Sequence, residues 1–152
     1  MSKKFFLVVL ALVVCMVFAL TALSQVKPDV LVKQRQAAMT LQAKYFGPLA
    51  GMAQGKMPYN SEVVARNAGY LTVLTKLAWD GFDPSTAAEK SGALPAVYTE
   101  KAKFKTAADE MQAAVAKLAS ASKSKNEAAT KAAIGAVGKT CGACHDTFRQ
   151  KP

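Results

Sequence analysis

The sequence predicts an all-α protein, an antiparallel up-down-up-down four-helix bundle. Three observations carry that prediction. Apolar residues recur at spacings of three and four in four separate stretches. Those stretches are rich in Ala, Lys, Leu and Gln, all good helix formers. Alternating runs of β-branched residues, the mark of strands, are scarce between them. The 152 residues suffice for one domain and fit two poorly.

The first helix is expected from about Asp29 to about Gln54, entered through Pro28-Asp29. Its stripe is Ala38, Leu41, Tyr45, Leu49 and Met52, with a kink expected at Gly47-Pro48. Gly55-Lys56-Met57-Pro58 ends it. The second is expected from about Ser61, capped by Asn60 or Ser61, to about Trp79. Val63, Tyr70, Leu74 and Leu77 share one face. Residues 81–95 contain Gly81, Pro84, Gly92 and Pro95 and form a connection long enough to cross an end of the bundle. The third helix, about Ala96 to Ala121, carries the cleanest stripe: Phe104, Ala108, Met111, Val115 and Leu118. The fourth, about Glu127 to Gln150, places Ile134, Val137, Cys141, Cys144 and Phe148 on one side. Short first and third connections favour antiparallel neighbours.

Residues 1–24 read as a secretory signal. Lys3 and Lys4 precede an unbroken apolar run from Phe5 to Leu20, and Ala22 and Ser24 are the small residues expected before a cleavage. The run falls short of the ~20 apolar residues a spanning helix needs. A domain of residues 25–152 would remain, exported to the periplasm and without a membrane anchor. It has 18 basic and 10 acidic residues. The basic residues are spread along the chain without a cluster interleaved with aromatics, which argues against nucleic acid. They read first as solvated helix faces.

The chemistry resides in Cys141-Gly142-Ala143-Cys144-His145, the C-x-x-C-H pattern of covalent haem attachment. Residues three apart on a helix lie on one side, so both thiols reach the vinyl groups of one porphyrin edge. His145, four residues after Cys141, shares that face and can approach the iron. A redox dithiol belongs near a βαβ pattern, which this chain lacks. A zinc site needs further ligands. His145 is the single histidine and Cys15 leaves with the signal. One histidine also excludes bis-histidine ligation within one chain, so the sixth position is open or filled by another group, such as Met.

With its haem motif near the C-terminus, continued as Asp146-Thr147-Phe148-Arg149, the chain resembles the cytochromes c′, the class II c-type cytochromes. Cytochrome c′ is itself a standard example of this bundle topology. The segments Lys33-Gln34-Arg35-Gln36-Ala37-Ala38-Met39, Gly55-Lys56-Met57-Pro58-Tyr59 and Ala102-Lys103-Phe104 carry the same resemblance. It implies a homodimer, with the first helix as its surface, and one haem c per chain with high-spin, five-coordinate iron that binds NO and CO. It places Met39 on the distal face, Arg35 and Gln36 at a haem propionate, and Arg149 beside the proximal face. Independently, Arg149 follows His145 by four residues, so helical spacing sets both on one side.

Met39 either packs on the porphyrin, as a methionine gap filler does, or ligates the iron; packing is the preferred reading. The expected function is therefore a periplasmic haem protein that traps or transports NO. An apolar distal wall without a histidine donor disfavours stable O₂ binding. The alternative is a small electron carrier serving redox partner proteins, with Met39 as sixth ligand. The sequence places no distal acid–base pair near the iron, so no enzymatic role such as a peroxidase is expected. Trp79, Phe104, Tyr70 and Phe148 are expected in the core.

Overall fold

The computed structural model describes residues 26–124 and 126–151. The signal expected at residues 1–24 lies outside them. The helices are α1 (Pro28–Ala53), α2 (Ser61–Leu74), the single turn α3 (Ala96–Thr99), α4 (Lys101–Ala121) and α5 (Glu127–Phe148). Two 3₁₀ turns, Trp79–Phe82 and Pro84–Thr86, lie in the connection between α2 and α3. The four long helices form the expected antiparallel bundle: α1 packs on α2 and α5, and α4 packs on the same two. Among the described residues, no helix is long and apolar enough to cross a membrane.

Local chemistry fixes the ends of the helices. Pro28 occupies the first turn of α1, where a missing N–H costs nothing. The helix continues through Pro48 to Ala53. Gly55 then takes φ +72°, the left-handed conformation that favours glycine, and the Lys56 N–H closes on the Gly51 carbonyl at 2.9 Å. Asn60 caps α2 by accepting from the Val63 N–H, and Asn126 caps α5 by accepting from the Ala129 N–H, both at 3.0 Å.

Several expectations are corrected. α2 ends at Leu74, five residues before the expected Trp79. The Thr75 hydroxyl donates to the Leu71 carbonyl and the Trp79 indole N–H to the Thr75 carbonyl, which folds the chain over the helix end. The buried face of α2 is Val64, Asn67, Ala68 and Leu71, one position round from the expected stripe. Tyr70 and Leu77 are 46% and 55% exposed, and Leu41 on α1 is also exposed. Asn67 is tolerated in the interior because its amide donates to the Tyr45 carbonyl at 3.1 Å. The third helix breaks at Glu100, whose backbone leaves the helical region. The fourth ends at Phe148 rather than Gln150. There the Leu94 N–H meets the Phe148 carbonyl and the Gln150 N–H the Gly92 carbonyl, tying the chain end to the long connection through an isolated antiparallel bridge.

The interior divides along the bundle axis. One end is packed solid by Leu49, Val64, Leu118 and Ile134, each at most 1% exposed, and Val115 and Val137 lie where it meets the other end. The other end is where α1 begins, α2 finishes, α4 begins and α5 finishes. It encloses a cleft.

Candidate functional site

The cleft has a volume of about 710 Å³, inside the roughly 300–1,000 Å³ range of cofactor pockets. All seven residues singled out from the sequence line it: Arg35, Gln36, Met39, Cys141, Cys144, His145 and Arg149. The α5 wall presents Val137, Cys141, Cys144 and His145, and the helical repeat brings both thiols and the imidazole to one side. The α1 wall presents Gln36, Met39, Ala43 and Phe46. Gln42 also borders the cleft, but its amide is committed to the Leu74 carbonyl at 3.1 Å.

The environment suits these groups to neutral roles. Burial holds the Cys141 thiol above its ordinary pKa. Burial, reinforced by Cys141, does the same for Cys144. Both are therefore thiols at neutral pH, free of a disulfide. Burial first, and the Arg149 charge second, push the His145 pKa below its usual value, against an opposing pull from Asp146. The imidazole is thus held neutral, with a lone pair available to a metal. Among the described residues, no group of three or more His, Cys, Asp or Glu side chains converges as a metal-ion site, so the zinc reading has no ligand set.

Arg149 reaches the cleft by a different route from the one its spacing implied. It lies beyond the helix, in an extended conformation (φ −120°, ψ 136°), and its N–H caps α5 on the His145 carbonyl at 3.1 Å. The bridge to Ala93 keeps it beside the cleft.

Arg35 is 3% exposed. Its Nη1 donates to the Gly81 carbonyl, the Thr86 hydroxyl at 3.2 Å and the Tyr98 hydroxyl at 3.1 Å. Nη2 donates to the Ser91 hydroxyl at 2.7 Å, and the guanidinium stacks 4.5 Å from the centroid of the Phe82 ring. Every acceptor is neutral. Among the described residues, no carboxylate lies within ion-pair distance, since the four ion pairs are all on the surface and all between helical neighbours. A guanidinium carries five N–H donors, and neither Nε nor the second Nη2 hydrogen has an acceptor among the described residues. A buried cation with spare donors calls for an anion.

Trp79, Phe104 and Phe148, expected in the core, line the cleft, with Phe104 meeting Phe148 edge-on at 5.2 Å between ring centroids; sequence reasoning missed Phe82, which completes this aromatic wall. It also missed the partners of Arg35. Most of these residues sit in the connection after α2, which has no period to read.

The cytochrome c′ family model matches residues 30–149. The chain belongs to the cytochrome c′ family. It is similar to cytochrome c′ from Rubrivivax gelatinosus, with 44% identity over 126 residues, 82% of this chain and 98% of that protein. The crystal structure of cytochrome c′ from that organism superposes with a TM-score of 0.78 at 43% identity, over 82% of this chain and 98% of the other. A ferrous arginine-to-lysine variant of cytochrome c′ from Alcaligenes xylosoxidans with bound NO has a TM-score of 0.78 at 34% identity, over 85% of this chain and all of that one.

As in the rest of the cytochrome c′ family, the cofactor is covalently attached haem c. The cleft fits it. An apolar slot offers two thiols and a neutral imidazole from one helix face, and a buried cation with spare donors matches a propionate.

Proposed function

We propose that the chain is a periplasmic cytochrome c′ that binds NO and CO at a haem iron held by His145 alone. In this reading Cys141 and Cys144 form the thioether tethers and His145 is the axial ligand. Arg35 and Gln36 receive a propionate. Arg149 sits beside the proximal face and Met39 packs on the distal one. When bound, the haem supplies an iron with one axial position open to a diatomic ligand.

The observation that carries the proposal is a single cleft in which the motif helix faces a wall with no second imidazole. His145 is the only histidine in the chain. Met39, Ala43 and Phe46 are the apolar part of the α1 wall, and Thr40 and Gln42 beside them donate to the Gln36 and Leu74 carbonyls. Such a wall offers little hydrogen bonding to bound O₂, which needs it more than NO or CO do. The NO-bound relative supports the same reading.

Export fits residues 1–24 as a cleaved signal, leaving 25–152 as the haem domain. Leu41 on α1, Tyr70 and Val73 on α2 and Leu77 just beyond are exposed apolar residues, and we assign them to the homodimer surface.

The test is spectroscopic. Ferric protein should show a high-spin signature, and the ferrous Soret band should shift on adding NO and, separately, CO. A low-spin ferric spectrum with a methionine–iron charge-transfer band, abolished by Met39→Ala, would replace this reading with a small electron carrier serving redox partner proteins.

A further inference from the structure

We infer that Tyr98, Thr86 and Ser91 are positioning residues that fix the Arg35 guanidinium as a permanent cation in the cleft wall, and that this charge raises the reduction potential of the iron. The inference rests on the reading of the cleft as the haem site.

The argument starts from the accounting at Arg35. The side chain is almost fully buried, yet all its protein acceptors are neutral: the Gly81 carbonyl and three hydroxyls. Neutral acceptors solvate a guanidinium without cancelling its charge. The hydroxyls also support one another. Thr86 Oγ1 and the Tyr98 hydroxyl are 2.9 Å apart, and Thr86 also donates to the Asp83 carbonyl at 2.7 Å. Stacking on Phe82 closes another side of the group. The result is a rigid cradle built from four separate points of the connection and α3, around one residue of α1.

Such a cradle exceeds what a loop anchor requires. A buried Met or Leu at position 35 would pack the connection without the cost of burying a charge. Placing a cation that no protein carboxylate neutralises at the wall of a redox cofactor has an electrostatic consequence. Reduction by an external one-electron donor takes ferric iron to ferrous and removes one positive charge from the cleft, with no proton required. A fixed cation nearby favours the reduced state. Where a propionate partners Arg35, losing the guanidinium leaves that carboxylate uncompensated, which favours the ferric state in the same direction. Because Arg35 is buried, salt screens the effect weakly. Lys cannot replace Arg, since one ammonium cannot reproduce the fork that reaches Ser91 and Tyr98 together.

The experiment uses the mature holoprotein and two variants, Arg35→Met and the double variant Ser91→Ala/Tyr98→Phe. Midpoint potentials are measured by spectroelectrochemistry at low and at 1 M NaCl, alongside melting temperatures. Arg35→Met should lower the ferrous-to-ferric ratio about tenfold at fixed applied potential, about 59 mV for a one-electron couple. The double variant keeps the charge but loosens it, and should lower the ratio about threefold. Both shifts should survive high salt. Should Arg35→Met fail to fold, the double variant still decides the matter. Reduced melting temperatures with an unchanged potential in the folded variants would overturn the inference and leave Arg35 a structural latch. A shift that vanishes at 1 M NaCl would overturn it too. Wild-type protein without a Soret band would instead overturn the haem reading itself, and this inference with it.

Discussion

Gly81→Ala is the sharpest test of how the cleft is held. A methyl group at Gly81 would sit 2.5 Å from Arg35 Cβ and 2.7 Å from the Leu31 carbonyl oxygen. Neither is the far end of a flexible chain, so the 3₁₀ turn must move off α1. Overpacking of this kind costs about 1–3 kcal/mol. The opposing gain is the reduced freedom of the unfolded chain, about 0.4–1 kcal/mol for Gly→Ala where the backbone permits alanine. The backbone does permit it, since the one positive-φ glycine is Gly55. The clash therefore wins, by about 1–2 kcal/mol, and displacing the Gly81 carbonyl from Arg35 adds to it. For a domain of this size that lowers the melting temperature by about 4–10 °C. The internal control is Gly135→Ala, at an exposed site within α5 with nothing within 4 Å of the added methyl. There the same chemical change should stabilise, by about 0.5–1 kcal/mol. Thermal melts followed by circular dichroism read both. An unchanged or raised melting temperature for Gly81→Ala would refute the close approach of the turn to α1.

Three further outcomes follow from other parts of the molecule. Asn126→Ala removes the cap of the Ala129 N–H and should cost about 1 kcal/mol in a denaturant titration. Replacing either Cys141 or Cys144 by Ala should leave haem held by one thioether, and replacing both should leave none resistant to denaturation, scored by haem stain after denaturing electrophoresis. Val73→Glu with Leu77→Glu places charges on the exposed apolar surface. It should convert a dimer to monomer in sedimentation without altering the Soret band.

The legibility of the site in the sequence tracks how local each part is. The α5 wall is one helical segment, so spacing alone puts Cys141, Cys144 and His145 on one side, and the family resemblance added the α1 residues. The strongest stripes, Ala108 to Leu118 and Ile134 to Val137, are read correctly because each packs on a continuous core. The α2 stripe is misread for a physical reason. Its apolar residues serve two surfaces: small Ala68 and satisfied Asn67 face the interior, while Tyr70, Val73 and Leu77 remain exposed. Hydrophobicity marks both and cannot rank them. Arg149 lines the cleft, as its spacing from His145 suggested, but its backbone is extended and a bridge to Ala93 that no helical period reveals also holds it there. Gly81, Thr86, Ser91 and Tyr98 were not identified as the cradle of Arg35, since their meeting depends on how residues 75–98 cross α1.

The division of the bundle into a packed end and a cleft end predicts how the chain behaves without its cofactor. At the packed end, Leu49, Val64, Leu118 and Ile134 are each at most 1% exposed. Burying such side chains stabilises by about 1.5–3 kcal/mol apiece, and none of them borders the cleft. At the cleft end, the helices present residues that face the open cleft instead. A Cys141→Ala/Cys144→Ala protein without haem should therefore open locally rather than unfold outright. Amide hydrogen exchange should remain slow at Val64, Leu118 and Ile134. It should speed up at residues 36–43, 101–107 and 141–148, where the same helices run past the slot. Arg35 anchors the connection through neutral hydroxyls and so should keep residues 81–91 intermediate. Uniformly fast exchange would mean that the two ends form one cooperative unit, with stability supplied by the porphyrin throughout. Uniformly slow exchange would mean that the cleft is preformed and rigid. A gradient along the bundle axis is the outcome that the distribution of buried side chains requires.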